Sequence, residues 1–119
     1  MSLYTYRAQV TRVVDGDTIV VDIDLGLSIW LRGQHLRLAG VNTPEIHGVK
    51  KESAEYAAGQ AAKNFVISWM EQHGPDVIIE TSKDRTGKFG RWLCQVYNDL
   101  TEEFCLNQQL LDTDHAEPY

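Results

Sequence analysis

Apolar and polar residues alternate at Val21, Ile23 and Leu25, separated by Asp22 and Asp24, which is the two-residue period of a strand with one buried face. This run, Thr18 to Leu25, follows a segment over residues 4 to 14 rich in aromatic and β-branched residues, and Asp15-Gly16 between them is a hairpin turn. Gly26 and its neighbours lead into a third strand, Ile29 to Ala39, where Trp30, Leu36 and Leu38 mix with polar residues. Together they predict a three-stranded meander. Pro44 restricts its predecessor and predicts a loop across residues 40 to 50. From Ser53 to Gln72 the period lengthens to that of a helix. Ala54, Ala58, Ala61 or Ala62, Phe65 and Trp69 recur at three- and four-residue steps, with Ser53 as cap and Gly74 as stop. Gly59 inside this helix costs about 1 kcal/mol relative to Ala, which blurs where the helix starts. Val77 to Thr81 and Trp92 to Tyr97 read as a second hairpin, and Phe104 to Leu111 as a short final helix.

This element order supports an α+β, mainly β, chain. With 119 residues, 43% of them hydrophobic and 24% charged, the composition fits one domain over 1–119. A chain of this size buries roughly 65% of the surface its unfolded form exposes. There is no internal repeat and no low-complexity tract. The longest apolar stretches are strand-sized, and the first residues lack the basic-then-apolar layout of a leader, so the expectation is a soluble, untargeted chain with no membrane association. Cys94 and Cys105 have no ligand-like spacing with the four histidines, and are expected as unpaired thiols in a reducing, cytoplasmic setting.

The net charge of −6 runs against a polyanionic partner, which normally selects a basic footprint. Its distribution softens the conflict. Residues 98 to 119 hold six acids and no Lys or Arg, so the remainder of the chain is neutral. Within that remainder Lys83, Arg85, Lys88 and Arg91 crowd one segment, and Lys50 and Lys51 follow Glu45.

Three segments carry candidate chemistry: Asp15-Gly16-Asp17-Thr18, Arg37 to Glu45, and Asp84 to Arg91. Carboxylates can hold a hard cation, arginines can grip a phosphate through two parallel hydrogen bonds, and a further carboxylate can activate water. Singly, each residue has a plain structural reading. Asp15 and Asp17 suit a tight turn, Arg37 and Arg91 suit surface ion pairs, and Glu45 suits a solvated loop. Jointly they make an inventory for cleaving phosphodiesters.

In this order the three segments resemble the staphylococcal nuclease (thermonuclease) family, over roughly Val10 to Ala116. The resemblance implies a five-stranded OB-type barrel with a helix between strands 3 and 4 and a short C-terminal helix. It further implies calcium-dependent hydrolysis of DNA and RNA, leaving 3′-phosphate ends, and a monomer is the separate expectation for the chain. By position, it places Asp17 and the Thr43 carbonyl as calcium ligands and Glu45 as general base. Arg37 and Arg91 fall on the phosphate-binding arginines, and Lys88 on a lysine that helps hold phosphate. Loss of either arginine is then expected to damage turnover more than fold.

Three departures from that pattern stand out. Asn42 occupies the place of a second calcium-binding aspartate, which predicts loose calcium binding in the absence of substrate. Phe89 replaces a tyrosine whose hydroxyl contacts phosphate. Tyr119 alone is available for a pair of tyrosines that flank the base. The alternatives to a nuclease are a non-catalytic nuclease-like OB module that binds nucleic acid or a protein, and an interaction domain that docks a basic partner through its acidic segment.

Overall fold

A computed structural model describes residues 3–83 and 91–119. The Asp15–Asp17 turn joins β1 (Thr5–Asp15) to β2 (Thr18–Asp24), and the chain returns as β3 (Trp30–Leu38). A two-residue strand, β4 (Val41–Asn42), precedes the long helix α1 (Ala54–His73). Then follow β5 (Asp76–Lys83), β6 (Trp92–Tyr97), the short helix α2 (Leu106–Asp112) and a last two-residue strand, β7 (Glu117–Pro118).

The sheet is a closed barrel in the order β1-β2-β3-β6-β5. Four of its five seams are antiparallel. The closing seam between β3 and β6 is parallel and sets Leu36 opposite Trp92, Arg37 opposite Leu93 and Leu38 opposite Cys94. Closure requires strong coiling, and β1 supplies it with register shifts between Val10 and Arg12 and between Val13 and Asp15. Inward-facing Ile19, Val21, Leu36, Leu38, Ile79, Cys94 and Val96 fill the barrel, and Val66, Trp69 and Met70 of α1 with Leu106 and Leu110 of α2 extend the same core. With its helix between the third and fourth barrel strands, this is the OB-type α+β arrangement.

Ser53 caps α1 by accepting from the Tyr56 N–H, and the Gly74 N–H closes the helix on the Met70 carbonyl. The buried face of α1 is not the alanine stripe that the spacing suggests. Gly59, Ala62, Val66, Trp69 and Met70 face inward, whereas Ala54, Ala58 and Ala61 are exposed. Alanine tolerates either environment, so its spacing marks the face poorly. Leu25 also departs from expectation. β2 ends at Asp24, the chain turns through Gly26, Leu27 and Ser28 with positive φ, and Leu25 stays exposed. The expected 40–50 loop contains β4, because Val41 and Asn42 find antiparallel partners in Pro118 and Glu117. Among the described residues, no helix is long and apolar enough to cross a membrane. Both cysteines are free thiols.

Candidate active site

Two glycines let three separate segments meet. Gly16, in the β1–β2 turn, is buried, and a Cβ there would lie 2.8 Å from both the Ala62 Cβ and the Thr43 Cγ2. Gly59 faces the loop after β4, where a Cβ would stand 2.5 Å from the Ile46 Cγ2 and 2.6 Å from the Pro44 carbonyl oxygen. Hydrogen is the only substituent that fits either gap. A glycine that weakens the middle of a helix is therefore what allows the Thr43–Ile46 backbone to lie against α1.

Asp17 is held at the centre of this junction. The Asp17 N–H donates to Asp15 Oδ1 at 3.0 Å, which fixes the turn. Its Oδ1 accepts from the Thr18 hydroxyl at 3.2 Å, and its Oδ2 accepts from the Thr43 N–H at 3.2 Å. The same Oδ2 lies 3.2 Å from Arg37 Nη1. Arg37, near the end of β3, is only 7% exposed. Its Nη2 donates to the Val41 carbonyl at 3.2 Å and to Asn42 Oδ1 at 3.3 Å. The Tyr119 ring covers the guanidinium, with Cζ 4.7 Å from the ring centroid, and the Tyr119 N–H donates to the Gly40 carbonyl.

Glu45 is exposed at the rim, where its Oε1 accepts a long hydrogen bond of 3.4 Å from the His47 N–H. Beside it opens a cleft of about 430 Å³ whose lining includes Asn42, Thr43, Glu45, Glu55, Asp114 and Glu117. Burial and the neighbouring Asp17 carboxylate push Asp15 up to about 6, and the charge of Glu45 adds to the effect. The local field is thus strongly negative.

The structure brings Asp17, Arg37, Asn42, Thr43 and Tyr119 into one contact network with Glu45 at its edge. Arg91 is not tied into it. It is exposed, immediately precedes β6, and makes no hydrogen bond or ion pair with another described residue. Lys88 and Phe89 lie outside the described residues. The acids Glu55, Asp114 and Glu117 belong to the cleft without a local sequence signal. Glu117 arrives through the β4–β7 pairing, in which it sits opposite Asn42.

The oxygen-only donors gathered here, the Asp15 and Asp17 carboxylates, the Asn42 amide oxygen and the Thr43 carbonyl, suit a hard divalent cation by chemistry. The Asp15 carboxyl is raised first by burial and then by the neighbouring Asp17. Among the described residues, no cluster of three or more His, Cys, Asp or Glu is arranged to hold a metal ion.

A family model described as staphylococcal nuclease homologue matches residues 35–119. An uncharacterized protein of Methanocaldococcus jannaschii is 28% identical over 129 residues, covering 96% of this chain and 59% of the relative. The thermonuclease of Staphylococcus intermedius is 35% identical over 88 residues, covering 74% of this chain and 46% of the relative. That of Staphylococcus hyicus is 36% identical over 93 residues, covering 78% and 48%. The chain spans about half the length of these curated relatives.

Proposed function

Because the chain belongs to the staphylococcal nuclease homologue family, we propose that it is a nuclease that hydrolyses phosphodiester bonds of DNA, RNA or both, with calcium as its cofactor. The observation that carries this reading is the convergence of Asp17, Arg37, Asn42 and Thr43 beside the cleft lined by Glu45. Asp17, the Thr43 carbonyl and Asn42 would hold the ion, which would supply positive charge to the non-bridging phosphate oxygens.

The protein's own groups act around the phosphate. Arg37 and Arg91 orient it and stabilise the charge that builds on its oxygens as the water attacks, a contribution greater in the transition state than in the ground state. Glu45 takes a proton from the attacking water while the new O–P bond forms. The bond from phosphorus to the 5′ oxygen breaks in line, its electron pair stays on that oxygen, and a proton from solvent completes the 5′ hydroxyl. The other product keeps a 3′ phosphate. General-base assistance of this kind contributes about 10²- to 10⁴-fold in rate. By the family resemblance Lys88 would help to hold the phosphate, Phe89 would offer a ring without the tyrosine hydroxyl, and Tyr119 would border the nucleoside.

The internal engagement of Arg37 favours one second reading. Its Nη atoms are committed to Asp17, Val41 and Asn42, as a structural arginine in a non-catalytic binding module would be. One experiment separates the two. Purified protein is incubated with single- and double-stranded DNA and with RNA, in calcium or in chelator, and the product ends are mapped. Metal-dependent cleavage that collapses in Glu45→Gln, with the circular dichroism spectrum unchanged, is the expected result. Undiminished cleavage in chelator or in Glu45→Gln rejects the mechanism, and binding without cleavage favours the module.

A further inference from the structure

Tyr119 is 74% exposed, so its ring adds little to the core, yet that ring lies over one particular group. The Arg37 Cζ stands 4.7 Å from its centroid. The hydrogen bonds and the ion pair of this guanidinium with described residues are all made at its Nη atoms, Nη1 with Asp17 Oδ2 and Nη2 with the Val41 carbonyl and Asn42 Oδ1. Hydrogen bonds from a planar guanidinium run in its own plane. They fix where the group sits and leave its faces open, so the plane can still tilt. A ring against one face removes that freedom.

Backbone contacts, rather than packing of its own side chain, deliver the ring to this place. Glu117 and Pro118 pair with Asn42 and Val41, and the Tyr119 N–H donates to the Gly40 carbonyl at 3.1 Å. Residues 40–42 therefore anchor Tyr119 and also supply the two acceptors of Arg37 Nη2. A change of side chain at position 119 leaves the backbone ties intact. The same contact keeps water from one face of a charge that is already only 7% exposed, and a charge less screened by solvent acts more strongly on a phosphate oxygen.

We propose that Tyr119 is a positioning residue for Arg37: its ring sets the plane of the guanidinium and keeps water from that face before a phosphate arrives. The proposal rests on the nuclease reading above and gives position 119 a role beyond bordering the nucleoside. Pre-orientation of Arg37 acts most where charge builds on the phosphate oxygens, in the transition state, and less on ground-state binding. Loss of the ring is then read in kcat. A ring that only stacked on a base would be read in KM.

The test compares wild type, Tyr119→Phe and Tyr119→Leu, with urea unfolding to establish that each is folded. In calcium, on a fluorescein-labelled oligothymidylate, Tyr119→Leu should lower kcat about tenfold and change KM less than about threefold, whereas Tyr119→Phe should stay within about twofold of wild type in both. In chelator, the Arg37 Nε–H resonance of wild type and Tyr119→Phe should carry an upfield ring-current shift that Tyr119→Leu lacks. The wild-type shift alone decides the contact if Tyr119→Leu fails to fold. An unchanged kcat in Tyr119→Leu, a loss confined to KM, or the same Arg37 resonance in all three proteins overturns the proposal and leaves the nuclease reading standing. If wild type cleaves nothing, the nuclease reading falls and the proposal is decided by binding. Unlabelled oligothymidylate that moves the Arg37 Nε–H resonance in wild type and Tyr119→Phe, but not in Tyr119→Leu, supports it. An equal response in all three, or none, overturns it.

Discussion

Arg37 and Asp17 form a nearly buried ion pair, with Nη1 3.2 Å from Oδ2 and side-chain exposures of 8% and 12%. Either charge alone would be stranded, because breaking a buried pair leaves an uncompensated ion. The pair thus ties the β1–β2 turn to the end of β3 before any substrate is involved.

This relationship separates two arginines that the sequence treats alike. Arg37→Met should destabilise the fold by about 3 kcal/mol in urea unfolding. Arg91→Lys should leave stability within about 0.5 kcal/mol while losing most activity, since an ammonium cannot reproduce the two-point guanidinium contact on phosphate. Equal unfolding midpoints for Arg37→Met and wild type would show that the pair carries no structural load.

Gly59→Ala provides a test in which propensity and packing oppose each other. Helix propensity favours alanine by about 1 kcal/mol, but the new methyl would overlap Ile46 and the Pro44 carbonyl. Overpacking of this kind costs about 1 to 3 kcal/mol, so net destabilisation is expected, with a fall in activity as the Glu45 loop is pushed out. A more stable, fully active variant would mean that the loop yields freely.

Asn42→Asp should tighten calcium binding several-fold in calorimetry without nucleotide. The carboxylate adds anionic charge to the proposed ligand set and also strengthens the hydrogen bond that Arg37 Nη2 makes to position 42. Equal or weaker calcium affinity would place position 42 off the ion.

Asp15 gives a pH dependence with a definite sign. Its folded-state pKa of about 6 lies above the ordinary value of 3.8, so between these values the folded chain holds a proton that the unfolded chain has released. Stability contributed by this group is complete below the lower value and declines as pH rises toward about 6. In chelator, Asp15→Asn should therefore be more stable than wild type at pH 7, and the difference should vanish near pH 3.5. A difference that does not change with pH would remove Asp15 as its source.

Burial pushes the Cys94 thiol up to about 12, with Cys105 adding to the shift, and burial also raises Cys105. Neither is expected to react readily with iodoacetamide at pH 8 in the folded state, and both should react after unfolding. Rapid labelling of Cys94 in native protein would contradict its burial in the barrel.

Strand periods, the Asp15-Gly16 turn, the Ser53 cap and the Gly74 stop made most of the fold legible, because they are local signals. The barrel itself came from resemblance, since no period reveals that β3 and β6 close in parallel. Asp17, Arg37, Asn42 and Thr43 were legible as site candidates, but the burial of Arg37 was not. It depends on Tyr119 and on the β4–β7 pairing, which joins distant parts of the chain through two-residue strands too short to leave a pattern. Gly59 was visible only as a defect in a helix, because what it accommodates lies on another segment.

The pairing of Val41 with Pro118 and Asn42 with Glu117 also bears on the order in which the molecule assembles. Contacts between remote segments form after local hairpins and helices, because closing the long intervening loop is entropically unfavourable until much of the chain is already fixed. The small sheet contains only two residues on each strand, so it adds little of its own to the barrier against opening. The amides of residues 41–43, Glu117 and Tyr119 should accordingly exchange their hydrogens by local opening, well before the barrel strands do. The candidate catalytic surface would then be the last part of the chain to form and the first to be lost, while the barrel beneath it persists.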